Sequence, residues 1–367
     1  MYNFLKFSVL LICLFLVQLM PLIGQENVQL KNGHFDPNLT EEQNIFLNRQ
    51  ASVLLDYSSK LLNKYKPSVR EQEGRVSALF LIDAVVHEPY AKERPAVQEF
   101  FQKQIAKSID EIVNTTVDEG AKIWKLYNHS FIVKTKLVTL AFDLLMPKFQ
   151  GNDNYCVSDS LMEKLIDECD VLFISHEHRD HWRPETLKKF LELGIPVYAP
   201  PTIFADNKEA FSKINHLERV AHKSQKVLVK DGKVELQVVT YPGHQWSDVI
   251  NNVSLVTTPE GLSFMHAGDQ WNYDDFEWID EVHKHFKVDV LIPNTWTADL
   301  ARMAQGINPT IIISGHENEL GHGLQHREPY FKTYLRKKGP SVLPENDKGY
   351  SHPLVMMTWG EAFHYSK

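Results

Sequence analysis

The chain has 367 residues, of which 23% are charged and 43% apolar, with 18 prolines and 17 glycines. That ordinary composition excludes collagen-like, coiled-coil and low-complexity architectures, and the length allows one large domain or two smaller ones. Lys and Arg total 39 against 47 Asp and Glu, a net charge of −8; phosphate binding needs a basic footprint, so no nucleic-acid partner is expected.

Residues 1–24 have the form of a signal peptide: Lys6 in a short start, an apolar run over 9–17 continuing through Leu19 and Met20, then Pro21 and Gly24. Gln18 and Pro21 interrupt the run before the roughly 20 apolar residues of a spanning helix. A cleaved signal, a secreted or periplasmic protein and no stable transmembrane helix after cleavage are therefore expected. Cys13 leaves with the signal. Cys156 and Cys169 remain, either bridged in an oxidising compartment or as buried thiols.

Residues 25–120 read as an α-helical N-terminal region. Thr40 and Gln43 form a capping box before the apolar series Phe46, Val53, Leu54, Tyr57 and Leu61. Pro67 suits the first turn of a second helix carrying Val76, Leu79, Phe80, Ile82 and Val85, and a third carries Val97, Phe101, Ile105, Ile109 and Ile112. After Gly120 the period changes. Strands are predicted over 122–126, 131–133, 137–142, 171–175, 197–199, 226–229, 234–240, 253–257, 262–266, 288–292 and 310–314, with helices over 161–168 and 185–193.

The strongest chemical signal is Ser175-His176-Glu177-His178-Arg179-Asp180-His181, directly after an apolar strand. Four potential ligands within six residues, delivered to one place by the core, point to metal binding. Four protein ligands alone would close a tetrahedral site, whereas hydrolytic sites keep a position open. His244, Asp269 and His316 each lie just past a predicted strand, on small-residue turns at Pro242-Gly243, Ala267-Gly268 and Gly315. Together these seven groups suffice for two ions sharing one carboxylate.

The order His176, His178, Asp180, His181, His244, Asp269, His316 resembles that of the metallo-β-lactamase superfamily, from about residue 121 to the C-terminus. The resemblance implies an α+β fold, a four-layer αββα sandwich preceded here by the helical region, with the site at one edge of two sheets. It further implies two Zn(2+) ions, or other divalent metals: one held by His176, His178 and His244, the other by Asp180, His181 and His316, with Asp269 bridging. Asp143 resembles the family's early aspartate, which supports the ligand loop, although Leu144 follows it where relatives often have proline. The bridging aspartate argues against antibiotic hydrolysis, and His178 against the diiron electron-transfer branch. The element Tyr127-Asn128-His129-Ser130-Phe131-Ile132 and the step from His181 to His244 are similar to the branch with ascorbate 6-phosphate lactonase and the phospholipase D acting on N-acylphosphatidylethanolamine.

The expected activity is a binuclear zinc hydrolase in which metal-bound hydroxide cleaves a phosphodiester, lactone or related ester of small-molecule or lipid-like kind. Asp180 is the candidate for orienting that water and taking its proton. Alternatives are a mononuclear iron persulfide dioxygenase and a non-catalytic metal-binding protein. Trp182, Trp246, Trp271 and Trp296 lie near ligands and either line an apolar pocket or are core. His322, in the loop after His316, is a candidate substrate contact, and Arg179 is either an anion contact or paired with a carboxylate.

Overall fold

A computed structural model describes residues 35–70, 72–145, 157–338 and 349–367. The expected signal over 1–24 and Cys156 lie outside the described residues, and Cys169 is a buried free thiol whose sulfur lies 3.3 Å from the Leu165 carbonyl. No described helix is long and apolar enough to cross a membrane.

Met1–Ile45 and Phe46–Lys367 are two compact units. In the first, the predicted capping box is made: the Thr40 N–H donates to Gln43 Oε1 at 2.9 Å, and the Gln43 N–H to Thr40 Oγ1 at 3.3 Å. It opens helix α1 (Glu41–Lys64).

In the second unit, α2 (Glu73–Val86) and α3 (Pro95–Asn114) follow. Pro67 is not in the first turn of α2, as the sequence suggested. Gln72 holds the intervening stretch in a non-helical course by donating to the Lys66 carbonyl and Ser68 Oγ, so the helix starts at Glu73. One face of α3 buries Val97, Phe101, Ile105, Ile109 and Ile112, the spacing of three and four that a helix places in a single stripe.

Two sheets form the centre. The six-stranded sheet runs β13-β1-β2-β3-β4-β5 and the seven-stranded sheet β12-β11-β10-β9-β8-β7-β6. The first comprises β1 (Ala121–Lys125), β2 (Phe131–Lys134), β3 (Thr139–Phe142), β4 (Val171–Phe173), β5 (Val197–Tyr198) and β13 (Glu361–Tyr365). The second comprises β6 (Gln225–Val229), β7 (Val234–Gln245), β8 (Val249–Thr257), β9 (Ser263–His266), β10 (Val290–Ile292), β11 (Ile311–Ile313) and β12 (Leu354–Val355).

Strand alternation builds the layers. Val171 and Phe173 enter the cluster shared with Val238, Phe264 and Ile313 of the other sheet, while Leu172 and Ile174 face a second cluster with helical residues such as Leu165, Leu187 and Phe190. On the far side Met265, Leu291 and Ile312 pack with Ile279, Met303 and Ile307. Those helical residues belong to α4 (Asp159–Asp167), α5 (Pro184–Glu192), α7 (Phe276–Ile279) and α9 (Leu300–Ile307), with α6 (Lys208–Phe211) and α8 (Val282–His285) between them in sequence. The result is the four-layer αββα arrangement expected, with helices α1 to α3 added to the outer face of the first sheet through residues such as Leu55, Ile82 and Phe101 in the cluster with Trp124.

A buried ion pair ties the added helices to this sheet. Arg75 of α2 donates to both carboxylate oxygens of Glu361 in β13, at 2.7 and 2.5 Å, and to the Met356 carbonyl.

Candidate metal centre

The site is built where strand ends of both sheets meet. β4 delivers the 176–181 loop, β9 delivers Asp269, β11 delivers His316, and the β7–β8 hairpin delivers His244. His244 is inside β7 rather than past it, a correction to the predicted Pro242-Gly243 turn: Pro242 and Gly243 stand in register with Asn252 and Asn251 of β8. Glycine is required there because a Cβ on Gly243 would lie 2.2 Å from Gln270 Oε1 and 3.0 Å from the Asn251 carbonyl.

The side chains converge. Potential ligand atoms of Asp180, His181, Asp269 and His316 lie within 4.8 Å of one another, as do those of His176, His178 and Asp269. Asp269 is common to both groups: its Oδ1 is 3.2 Å from His181 Nε2 and 3.5 Å from His316 Nε2, and its Oδ2 is 3.5 Å from His176 Nε2. The buried Nε2 atoms of His176, His181 and His316 have no hydrogen-bond partner. Buried polar atoms are ordinarily paired, so three unpaired imidazole nitrogens facing one carboxylate have the chemistry of a cation site. His244 is not in either group; its imidazole is a third exposed at the rim.

The ring nitrogens turned away from this centre are fixed. Asp143, fully buried with φ +43°, accepts from the Ser175 N–H at 2.7 Å and from Ser175 Oγ at 2.6 Å, and lies 2.7 Å from His181 Nδ1. His181 must donate Nδ1–H to this carboxylate, which leaves Nε2 as the nitrogen that would ligate once a cation displaces its proton. Ser175 Oγ is 3.0 Å from His176 Nδ1, so the same carboxylate orients His176 through the hydroxyl. Asp143 thus contacts both ends of the 175–181 segment, with the buried Leu144 after it. Asp275 does for His244 what Asp143 does for His181, lying 3.0 Å from Nδ1 and accepting the His244 N–H at 2.8 Å. Gln245 and Asn294 donate to the two oxygens of Asp269 at 3.0 and 2.5 Å.

Electrostatics reinforce the geometry. Burial, with His181 nearby, pushes the His176 pKa down to about 3, so its imidazole is neutral. Burial would lower His181 too, but Asp269, Asp180 and Asp143 around it more than offset this and hold its proton firmly. Carboxylates that draw a proton onto His181 favour a divalent cation in its place, with the neutral His176 imidazole as a further donor.

Asp180 stands on the open side, its side chain 21% exposed, with Oδ2 3.4 Å from both His316 Nε2 and His322 Nε2. His322 therefore touches the centre directly, its ring 5.4 Å from that of His316. Its loop is clamped: the buried Arg327 guanidinium donates to the carbonyls of Glu319, Leu320 and His322 and to those of Val86 and Glu88 at the end of α2. Asp83 of α2 accepts from Asn318 Nδ2 at 2.7 Å and from the N–H groups of Tyr330 and Phe331 at the start of α10 (Tyr330–Lys338). Lys125 and Glu317 form a fully buried ion pair beneath His316.

Trp182 and Trp246 are placed differently. Trp182 is nearly buried, donating its indole N–H to the Glu177 carbonyl at 2.8 Å; it supports the ligand loop, and Arg179 lies over its ring at 4.2 Å instead of pairing with a carboxylate. Trp246 is half exposed. His266 is no ligand in these groups: its Nε2 is 3.0 Å from the His129 carbonyl and its ring stacks on Phe142.

Residues 155–321, which hold all seven predicted ligands, match the family model described as the beta-lactamase superfamily domain. No curated protein gives a significant match. Among solved structures the chain is similar to Igni18, a metallo hydrolase from the archaeon Ignicoccus hospitalis, at 14% identity over 67% of this chain and 99% of that one, with a TM-score of 0.48. It is similar to CmlA, a diiron β-hydroxylase from Streptomyces venezuelae, at 12% identity over 68% and 55% of the two chains (TM-score 0.46), and to an isothiocyanate hydrolase from Delia radicum gut bacteria at 13% over 67% and 100% (TM-score 0.46). These are distant likenesses that say nothing of this chain's chemistry. The family match covers the ligand-bearing core, where the two donor groups meet at Asp269, so residues 155–321 are similar to the beta-lactamase superfamily domain.

Proposed function

We infer that the protein is a binuclear zinc-dependent hydrolase acting on a phosphodiester, lactone or related ester, exported by its apolar N-terminus. The observation that carries this reading is the sharing of Asp269 between two groups of buried donors. In it, His176, His178 and, from the rim, His244 would hold one ion, Asp180, His181 and His316 would hold the second, and Asp269 would serve both. When bound, such ions supply Lewis acidity and bring the pKa of water towards neutrality.

The chain's own residues do the rest. Asp180, partly exposed beside the bridging carboxylate, orients the attacking water and accepts its proton. His322, 3.4 Å from Asp180 Oδ2, holds that carboxylate in place and is the polar group that first meets substrate. As the water oxygen bonds to the phosphorus or carbonyl carbon, the ester oxygen leaves and takes up the proton.

The test is metal quantification of purified protein followed by turnover assays on bis-p-nitrophenyl phosphate, lactones, thioesters and a cephalosporin. About two zinc equivalents with phosphodiester or lactone cleavage are expected. One iron with oxygen consumption, or preferential cephalosporin cleavage, would overturn the reading.

A further inference from the structure

Four large aromatic side chains stand beside the candidate centre without a place in its ligand chemistry. Trp246 comes from the β7–β8 hairpin, Trp271 and Tyr273 from the loop after Asp269, and Trp296 from the loop after β10. Their rings are contiguous: Trp246 is 4.5 Å from Trp271 and 6.3 Å from Trp296, and Trp271 is 6.1 Å from Tyr273. The inner end of this wall touches the site, because the Trp296 indole nitrogen lies 3.3 Å from His316 Nδ1 and its ring stands edge-on to the imidazole. The middle is fixed to it as well, since the Trp271 N–H donates to the His244 carbonyl at 2.9 Å. The outer end is open: Trp246 is 49% and Tyr273 58% exposed.

Packing alone does not account for this. An aromatic used as core is covered, and single exposed hydrophobics are common, but two exposed rings continued by two partly buried indoles in one patch are not. Trp246 also adopts φ +58°, a left-handed conformation that is unfavourable for a bulky residue. The hairpin bears that cost while presenting an indole to solvent on the side of the metal ligands. Asp248 and Asp274 are exposed in the same two loops, which disfavours an anionic occupant.

We propose that this wall seats an uncharged, apolar substituent of the substrate, so that the preferred esters carry an aryl ring or a long acyl chain pointing from the scissile group towards Tyr273. The inference rests on the hydrolytic reading for what is cleaved, but the wall's ability to bind is independent of turnover. Aromatic faces accept both flat rings and methylene chains, so the two sources are separated by experiment.

Metal-loaded full chain is titrated with three uncleavable probes, methylphosphonate, naphthylmethylphosphonate and octylphosphonate, followed by tryptophan fluorescence and calorimetry. At least one tailed probe should bind about tenfold tighter than methylphosphonate. A gain with naphthyl alone assigns an aryl group, one with octyl alone an acyl chain, and either upholds the wall. Trp246→Gly, which removes the indole and suits the positive φ, and Tyr273→Ala, at the exposed edge, should each erase most of the gain. Equal binding of tailed and untailed probes, no binding of either tailed probe, or a gain that survives both substitutions overturns the proposal. Absence of turnover on every ester, with the tail-dependent binding intact, would instead overturn the hydrolytic reading alone.

Discussion

Asp143→Asn isolates the orienting carboxylate with almost no change of shape. Asp143 receives three hydrogen bonds, from the Ser175 N–H, Ser175 Oγ and His181 Nδ1, all between 2.6 and 2.7 Å and fully buried. An amide in its place keeps one acceptor. If the oxygen stays on the Ser175 N–H, the new NH2 faces His181 Nδ1, which must then accept, and the ring proton moves to Nε2, 3.2 Å from Asp269 Oδ1. A histidine protonated at that nitrogen cannot ligate. If the amide flips, its NH2 opposes the Ser175 N–H, and the 176–181 loop loses its anchor. Partners of this kind govern metal affinity by 10–100-fold, roughly 1.4–2.8 kcal/mol. Competition titration of the variant with a fluorescent zinc chelator should show the equivalent bound through His181 weakened by that factor, with Asp143→Ala no better. Unchanged affinity for every bound equivalent, in a variant with wild-type urea unfolding, would refute the tautomer argument.

Three further outcomes follow from the same geometry. Arg327→Met removes a buried guanidinium that donates to five carbonyls, and should cost about 3 kcal/mol or more in urea unfolding while loosening the His322 loop, read as faster amide exchange over 316–326. Asp83 is pushed up from 3.8 to about 6 by burial, which outweighs the hydrogen bonds from Asn318, Phe331 and Tyr330. The folded state therefore holds that proton more tightly than the unfolded one, and the stability this group contributes is present below about pH 4 and lost as pH rises through 6. The difference between wild type and Asp83→Ala should change by on the order of 3 kcal/mol across that window, in the wild type's disfavour as pH rises; a flat difference would show that Asp83 is not buried as described. His322→Gln should retain its metal content yet lose about 10²-fold in kcat, and a loss of metal in parallel would make His322 a ligand instead.

Most of the sandwich was legible because its strands are short apolar runs between turn residues, and the ligand loop because four donors crowd into 176–181. What escaped was set by tertiary partners. β13, Glu-Ala-Phe-His-Tyr, has an edge strand's mixed face and is a strand because it pairs antiparallel with β1 and receives Arg75 from α2. The helices α9 and α10 were not separated from their loops; α9 is capped by Asp299 in a left-handed conformation and α10 by Asp83, which lies far away in sequence. Asp275 and Asn294 were missed for the same reason. An acid six residues after a ligand carries no local signal, and only the fold shows Asp275 against the His244 ring. The strand through Pro242 and Gly243 continued where the dipeptide suggested a turn, because β8 supplies a register partner for each residue.

The claim on which the rest depends is that Asp269 serves two metal positions at once. Elemental analysis of wild type and Asp269→Ala, each freed of loosely bound ions by the same dialysis, tests it most directly. The geometry predicts about two zinc equivalents in wild type and the loss of both in Asp269→Ala, against the loss of one in His316→Ala. A single equivalent in wild type, or two that survive removal of the Asp269 carboxylate, would contradict it.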